Sequence, residues 1–298
     1  MHRIRVGVLR GGPSSEYEIS LKTGATVLNN LSQEKYNPRD IFIDKEGQWY
    51  MHGLPVLPHS ALNHLDVVFN ALHGHYGEDG KVQHILESHG IPFTGTKSFY
   101  TLININKHHA KDILKNNKIK TPRHIIENSI KNIKDTIIKI FRSFPLPVVV
   151  KPAFGNSNEG ISYVKNFSDL ESAIIEAQRY SNNVIIEEYI IGKDCQCVVI
   201  DKYRDHDLYA LPAMGEGITI EEKRMVEDIA KRAHEALGFR HYSSSDFIIH
   251  PKTGIYLVST NALPKIHNDQ LFKESLENVG SSLPHFLDHV LELALSRK

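Results

Sequence analysis

The chain has 298 residues, 41% of them hydrophobic, enough for two or three domains with a sizeable core. Thirty-five lysines and arginines balance thirty-five aspartates and glutamates, so no net field favours nucleic acid or an anionic membrane, and the expected partners are small molecules or proteins. No apolar run reaches membrane-span length and residues 3–9 open directly into a strand pattern, which predicts a cytoplasmic protein.

Residues 3–9 alternate into a short apolar strand, and Gly11-Gly12-Pro13-Ser14-Ser15-Glu16 then turns into a helix predicted to reach residue 31. A doubly wound domain begins this way. The glycines let backbone approach a ligand, and Glu16 lies near a helix N-terminus, where the dipole favours a carboxylate; simple helix capping accounts for it as well. Further strands are predicted at 40–43 and 66–72, the second nearly all apolar, as in the middle of a parallel sheet. It ends in His73-Gly74-His75-Tyr76-Gly77-Glu78-Asp79-Gly80, ahead of a helix over 81–88. Ligands of open α/β sheets bind beyond the carboxyl ends of strands, so His73 is either a group that orients a substrate carboxylate or a neighbouring acid, or a plain turn histidine. Residues 91–93 close the first domain.

Residues 100–116 read as one helix carrying Lys107, Pro122 breaks the pattern before a strand at 123–126, and a helix follows at 130–143. Lysine and isoleucine crowd 103–140, which reads as solvated helix faces. Val148-Val149-Val150-Lys151-Pro152 then makes a buried strand, Gly155 to Gly160 a small-residue loop, and 161–164 a second strand. Backbone N–H groups in such a loop converge on phosphate oxygens with the lysine at its base, although a plain hairpin with a surface lysine fits the same residues. After a helix at 169–180, the strand at 184–191 carries Glu187 and Glu188, two acids that need partners; an adenine amino group or ribose hydroxyl would serve. Cys195 and Cys197 share one face of a predicted strand at 195–200 and read as free buried thiols, suited to a reducing compartment. A strand at 207–211 and a helix at 220–237 follow, then a hairpin of strands 247–250 and 255–259 with Asp246 and Asn261 near its ends, and helices at 269–279 and 283–295.

In order, Gly-Gly-x-Ser-x-Glu-x-Glu-x-Ser, Leu-His-Gly-x-x-Gly-Glu-Asp-Gly, Val-Lys-Pro with its Gly/Ser loop, the paired acids and the closing Asp/Asn hairpin resemble a D-alanine–D-alanine ligase of the ATP-grasp superfamily over nearly the whole length. The resemblance implies an α/β protein: an N-terminal doubly wound, Rossmann-like domain (residues 1–96) followed by a two-lobed ATP-grasp domain, with a central lobe at 97–191 and a C-terminal lobe at 192–298. It implies ATP and magnesium as cofactors, D-alanine or a similar amino acid as substrate, a homodimer, and a D-dipeptide product for peptidoglycan. One D-alanine is phosphorylated on its carboxylate, and the amine of a second attacks the acyl phosphate. By motif, Glu16 holds the first D-alanine's ammonium and His73 its carboxylate; Ser157 orients Glu16, and these two are the catalytic pair. The same resemblance implies that Lys107 and Lys151 contact the nucleotide phosphates, Glu187 the adenine and Asp194 the ribose, while Asp246 and Asn261 bind metal.

The chain departs from the family pattern at four places. Ser259 stands for a metal-bridging glutamate, Ser244 for an arginine that steadies the tetrahedral intermediate, and Lys265 for a glycine whose N–H faces the oxyanion. A long closing ω-loop is reduced to residues 212–219. These departures predict impaired turnover with nucleotide binding kept. Two other readings stay open: a non-catalytic ATP-grasp homologue that binds nucleotide or a partner protein, and an ATP-grasp ligase of other substrate choice.

Overall fold

β1 (Ile4–Gly11) runs through the Gly-Gly turn into α1 (Tyr17–Asn30), followed by β2 (Tyr36–Ile43), the hairpin β3 (Trp49–Met51) and β4 (Leu54–Val56), α2 (Pro58–Leu62), β5 (Val67–Asn70) and α3 (Lys81–Ser88). The strands form one sheet in the order β4-β3-β2-β1-β5, with β1 parallel to both β2 and β5 and the hairpin added antiparallel. The chain is described by a computed structural model over residues 3–128, 132–156, 158–267 and 270–296. The hairpin and α2 are absent from the sequence expectations because Gly53, Pro55 and Pro58 interrupt any period. Residues 91–93, expected to close the first domain, join its sheet through a single parallel bridge between Val68 and Phe93.

The helix expected over 100–116 is two, α4 (Ser98–Ile105) and α5 (Lys107–Asn116). Asn106 breaks it: its backbone is extended at φ −86° and ψ 93°, and its side chain accepts from the N–H of His109 to cap α5. The break serves tertiary structure. Asn106 bridges Phe154, Lys107 N–H donates to Ala153 O at 3.0 Å and Gly155 N–H to Ile105 O at 2.9 Å, so the junction is stitched to the stem of the glycine-rich loop.

A second sheet holds β6 (His124–Asn128), β7 (Val148–Pro152), β8 (Ser162–Val164) and β9 (Asn183–Glu188) in the order β6-β9-β7-β8, all neighbours antiparallel. Helices α6 (Ile133–Ser143) and α7 (Leu170–Gln178) cover one face, burying Ile140, Leu170 and Ile174 against Val148, Val150, Val184 and Ile186.

The third sheet is built from β10 (Lys193–Asp201), β11 (Leu208–Ala210), β12 (Tyr242–His250) and β13 (Gly254–Asn261) in the order β11-β10-β12-β13. It is backed by α8 (Ile220–Ala236), whose start is fixed by a capping box between Thr219 and Glu222. Cys195 and Cys197 are free and buried beneath it, and burial pushes the Cys195 thiol up to about 12. A buried chain of Ser243, His234 and Asp201, linked at 2.7 and 2.9 Å, copies the layout of a hydrolase triad but is sealed from solvent and acts as a core polar network. The last helices, α9 (Gln270–Glu277) and α10 (Leu283–Ser296), return to the first sheet, where Phe286, Leu287 and Val290 join the core of Val6, Val8 and Phe69. No helix among the described residues is long and apolar enough to cross a membrane.

Candidate active site

The second and third sheets face each other across a cavity of about 320 Å³. One wall carries Lys107, Lys111 and Lys151 around Glu187; the other carries Ser244, Asp246, Ser259 and Asn261, with Glu16 and Lys265 also in the lining. Residues separated by more than two hundred positions are thus brought to one place.

On the first wall, strand alternation aims Lys151 of β7 at Glu187 of the neighbouring β9, and the ion pair closes at 2.6 Å. Lys111 reaches the other carboxylate oxygen from α5 at 2.9 Å. All three side chains are buried. Burial alone would raise the Glu187 pKa, but the charges of Lys151 and Lys111 outweigh it and hold the carboxyl below its ordinary value. Lys107 is the third cation: burial, reinforced by the like charge of Lys151, brings its pKa down to about 8. Its ammonium donates to the carbonyl of Gly155, at the base of the loop. Three lysines against one carboxylate leave this wall two positive charges in excess when all are ionised.

The second wall is set by β12–β13 pairing. Ser244 faces Asn261 and Asp246 faces Ser259 across the strands, and period-two alternation sends Ser244 and Asp246 to the same side. Asp246 accepts from Ser259 Oγ at 2.5 Å and from Gln196 Nε2 at 3.2 Å, while Asn261 Oδ1 accepts from the N–H of Leu263 at 2.7 Å. Nearby Asn104 is buried with its Oδ1 held by Thr260 at 2.6 Å, and its Nδ2 has no hydrogen-bond partner among the described residues. That N–H pair is a donor left for a ligand oxygen.

Glu16 sits at the start of α1, its N–H donating to Ser14 Oγ at 2.9 Å. Gly74 lets the histidine loop pack against it: φ is +71°, and a Cβ there would press on Ser14 Oγ and come within 3.4 Å of Glu16. Ligand atoms of Glu16, His73 and Glu78 consequently lie within 4.8 Å of one another. His73 is buried, with Nε2 2.9 Å from Thr23 Oγ1 and Nδ1 3.4 Å from Glu78. Thr23 also meets His267 at 2.8 Å. The loop after β7 closes over this corner, Asn156 Nδ2 donating to Glu78 at 3.1 Å and Ser15 Oγ to Glu159 at 2.6 Å.

Of the residues singled out in the sequence, Glu16, Lys107, Lys151, Glu187, Asp246 and Asn261 line the one cavity. His73 stands beside Glu16 but outside that lining, and Asp194 is exposed at the start of β10, also outside it. Ser157 lies outside the described residues. Glu187 and Glu188 find their partners within the protein, Glu188 with Arg123 at 2.7 Å. Lys111 was read with the solvated faces of 103–140 and is instead buried in the site; its spacing of four from Lys107, one helical turn, was the signal that both face one way. Lys265 departs most from expectation: its ammonium donates to Glu16 at 2.8 Å. No residue of 212–219 lines the cavity; Met214 is paired with Gln196 of β10 instead.

The family model described as "D-ala D-ala ligase N-terminus" matches residues 5–55 and 53–96, and that described as "D-ala D-ala ligase C-terminus" matches 113–212. A D-alanine–D-alanine ligase of Clostridium botulinum (strain Alaska E43 / Type E3) is 31% identical over 97% of this chain and 98% of that protein. Among solved structures, the VanG D-Ala:D-Ser ligase from Enterococcus faecalis superposes with a TM-score of 0.88 at 23% identity, covering 98% of this chain and 100% of that one. The D-alanine–D-alanine ligase from Bacillus anthracis complexed with ATP gives 0.81 at 27% identity, over 98% and 97% of the two chains.

Proposed function

Because the chain belongs to the D-alanine–D-alanine ligase family, with the ATP-grasp fold of its members, we propose that it binds ATP between its second and third sheets and retains the ligase site with turnover impaired. The observation that carries this reading is the lysine-rich wall: two excess positive charges and the unpartnered Nδ2 of Asn104 line a cavity to which the glycine-rich loop contributes Asn156 and Asn158. Polyanionic phosphate is the chemistry that satisfies such a wall. The ATP named with the Bacillus anthracis relative supports the same ligand here.

In this reading Lys107 and Lys151 hold phosphate oxygens, and Glu187, ion-paired with Lys111 and Lys151, keeps both charged and aimed. Glu187 Oε1 accepts no hydrogen bond among the described residues and is assigned to the adenine amino group. Asp194, exposed at the β10 start and outside the cavity lining, is assigned to the ribose. Glu16 and His73 frame the first substrate, and Ser157 is assigned to orient Glu16. Asp246 and Asn261 supply one carboxylate and one amide oxygen, which fits a single magnesium ion carried in on the triphosphate and completed by water; when bound, that ion neutralises charge on the phosphates. The Ser259 hydroxyl on Asp246 adds no negative charge to that set.

We assign the chain three units, residues 1–96, 97–191 and 192–298, one per sheet, and infer a cytoplasmic homodimer acting on peptidoglycan precursors if any flux remains. The test is nucleotide binding. ATP with magnesium is expected to raise the melting temperature of the protein, and Lys107→Ala to remove most of that rise; an unchanged melting curve for the unaltered chain at millimolar ATP contradicts the proposal.

A further inference from the structure

Lys265 is not a wandering surface lysine. Asn261 Oδ1 fixes the N–H of Leu263, and Leu263 and Ile266, on either side, are both in the core. The segment therefore delivers the lysine stem to one place, where Nζ meets Glu16 Oε1 at 2.8 Å. The carboxylate is well covered, its side chain 13% exposed, while the lysine keeps 34%. Around them stand the carboxylate of Glu78, itself held by Asn156 Nδ2, and the rings of His73 and His267.

We propose that Lys265 is a specificity-determining residue: its ammonium occupies the position on Glu16 that a substrate's α-ammonium would take, so the subsite selects a carboxylic acid with an uncharged α-substituent over an amino acid. The proposal rests on the reading above that Glu16 and His73 frame the first-substrate subsite. An arriving α-ammonium must displace a cation already tethered at high effective concentration, and the displaced cation gives up its ion pair with Glu16. A 2-hydroxy acid displaces nothing. Its hydroxyl donates to the remaining lone pairs of Glu16 while Lys265 stays in place, and its carboxylate gains a nearby cation. Discrimination thus comes from an element that works against the competitor as much as from one that favours the ligand.

The experiment is calorimetric binding of D-lactate and D-alanine to the full chain and to Lys265→Met, Lys265→Gly and Lys265→Arg, each first shown to unfold cooperatively. The unaltered chain is expected to bind D-lactate tighter than D-alanine by about tenfold or more, the Met and Gly variants to lose or reverse that ratio, and Lys265→Arg to keep it. A ratio near one that no variant moves, or a preference for D-alanine in the unaltered chain, overturns the role of Lys265 while leaving the substrate subsite standing. If neither acid binds the unaltered chain or any variant, the subsite reading falls and the proposal falls with it.

Discussion

Glu187 has almost no contact with water and two ammonium neighbours, so its ionisation depends on them. Removing its charge leaves two buried cations uncompensated, and Glu187→Gln is expected to cost about 3–5 kcal/mol in urea unfolding, far more than an exposed ion pair. The sign with pH follows from its depressed pKa: the stabilisation is present above the ordinary carboxyl range and is lost as pH falls through the lowered value. Lys107 gives a second pH signature. Its pKa near 8 means that the empty site loses this cation above that pH, whereas bound phosphate holds the proton. ATP affinity, measured by a fluorescent nucleotide, is therefore expected to weaken by about tenfold between pH 7 and pH 9, and Lys107→Ala to flatten the profile. Neither lysine–glutamate partnership was readable from the sequence. An acid in an apolar strand announces a need for partners, but Lys111 looked like one more solvated lysine until the fold placed α5 against β9.

At the scale of elements, Gly74 joins the histidine loop to the start of α1. A β-carbon at φ +71° is strained and would push on Ser14 and Glu16, so Gly74→Ala is expected to cost about 1–3 kcal/mol and to weaken binding of any ligand at Glu16 more than binding of ATP. Paired urea and calorimetric measurements check both parts. The elements that carry strong local signals were legible: the Gly-Gly turn between β1 and α1, the apolar strand before His73, and Val148–Pro152 ahead of its loop. The elements decided by tertiary contact were not. Asn106 sits inside a helical pattern and breaks it because its backbone pairs with Phe154, forty-eight residues away. The β3–β4 hairpin is too short and too proline-rich to show a period. For the site, the type and order of the residues were in the motifs, whereas the Lys265–Glu16 contact joins positions 249 apart and required the fold.

For the whole molecule, three sheets place a lysine-rich wall, the Asp246/Asn261 hairpin and the Glu16 corner around one cavity. The departures from the family pattern gather on one side of it: Ser244 and Ser259 offer hydroxyls where that pattern leads us to expect charged groups, Lys265 is ion-paired with Glu16, and Met214, in the short segment 212–219, bridges to Gln196 of β10. An oxyanion-stabilising donor is commonly worth about 2.7–4 kcal/mol of transition-state binding, so a missing arginine at Ser244 is expected to slow ligation by about two to three orders of magnitude. An uncovered cleft also admits water to an acyl phosphate before the second amine arrives. Restoring one carboxylate with Ser259→Glu is accordingly expected to leave dipeptide formation slow. The most direct test is chromatographic detection of dipeptide from millimolar ATP, magnesium and D-alanine, using protein whose melting temperature ATP raises. Turnover well below about 1 per second is the predicted result, and steady turnover at or above that ordinary enzymatic rate would contradict the account.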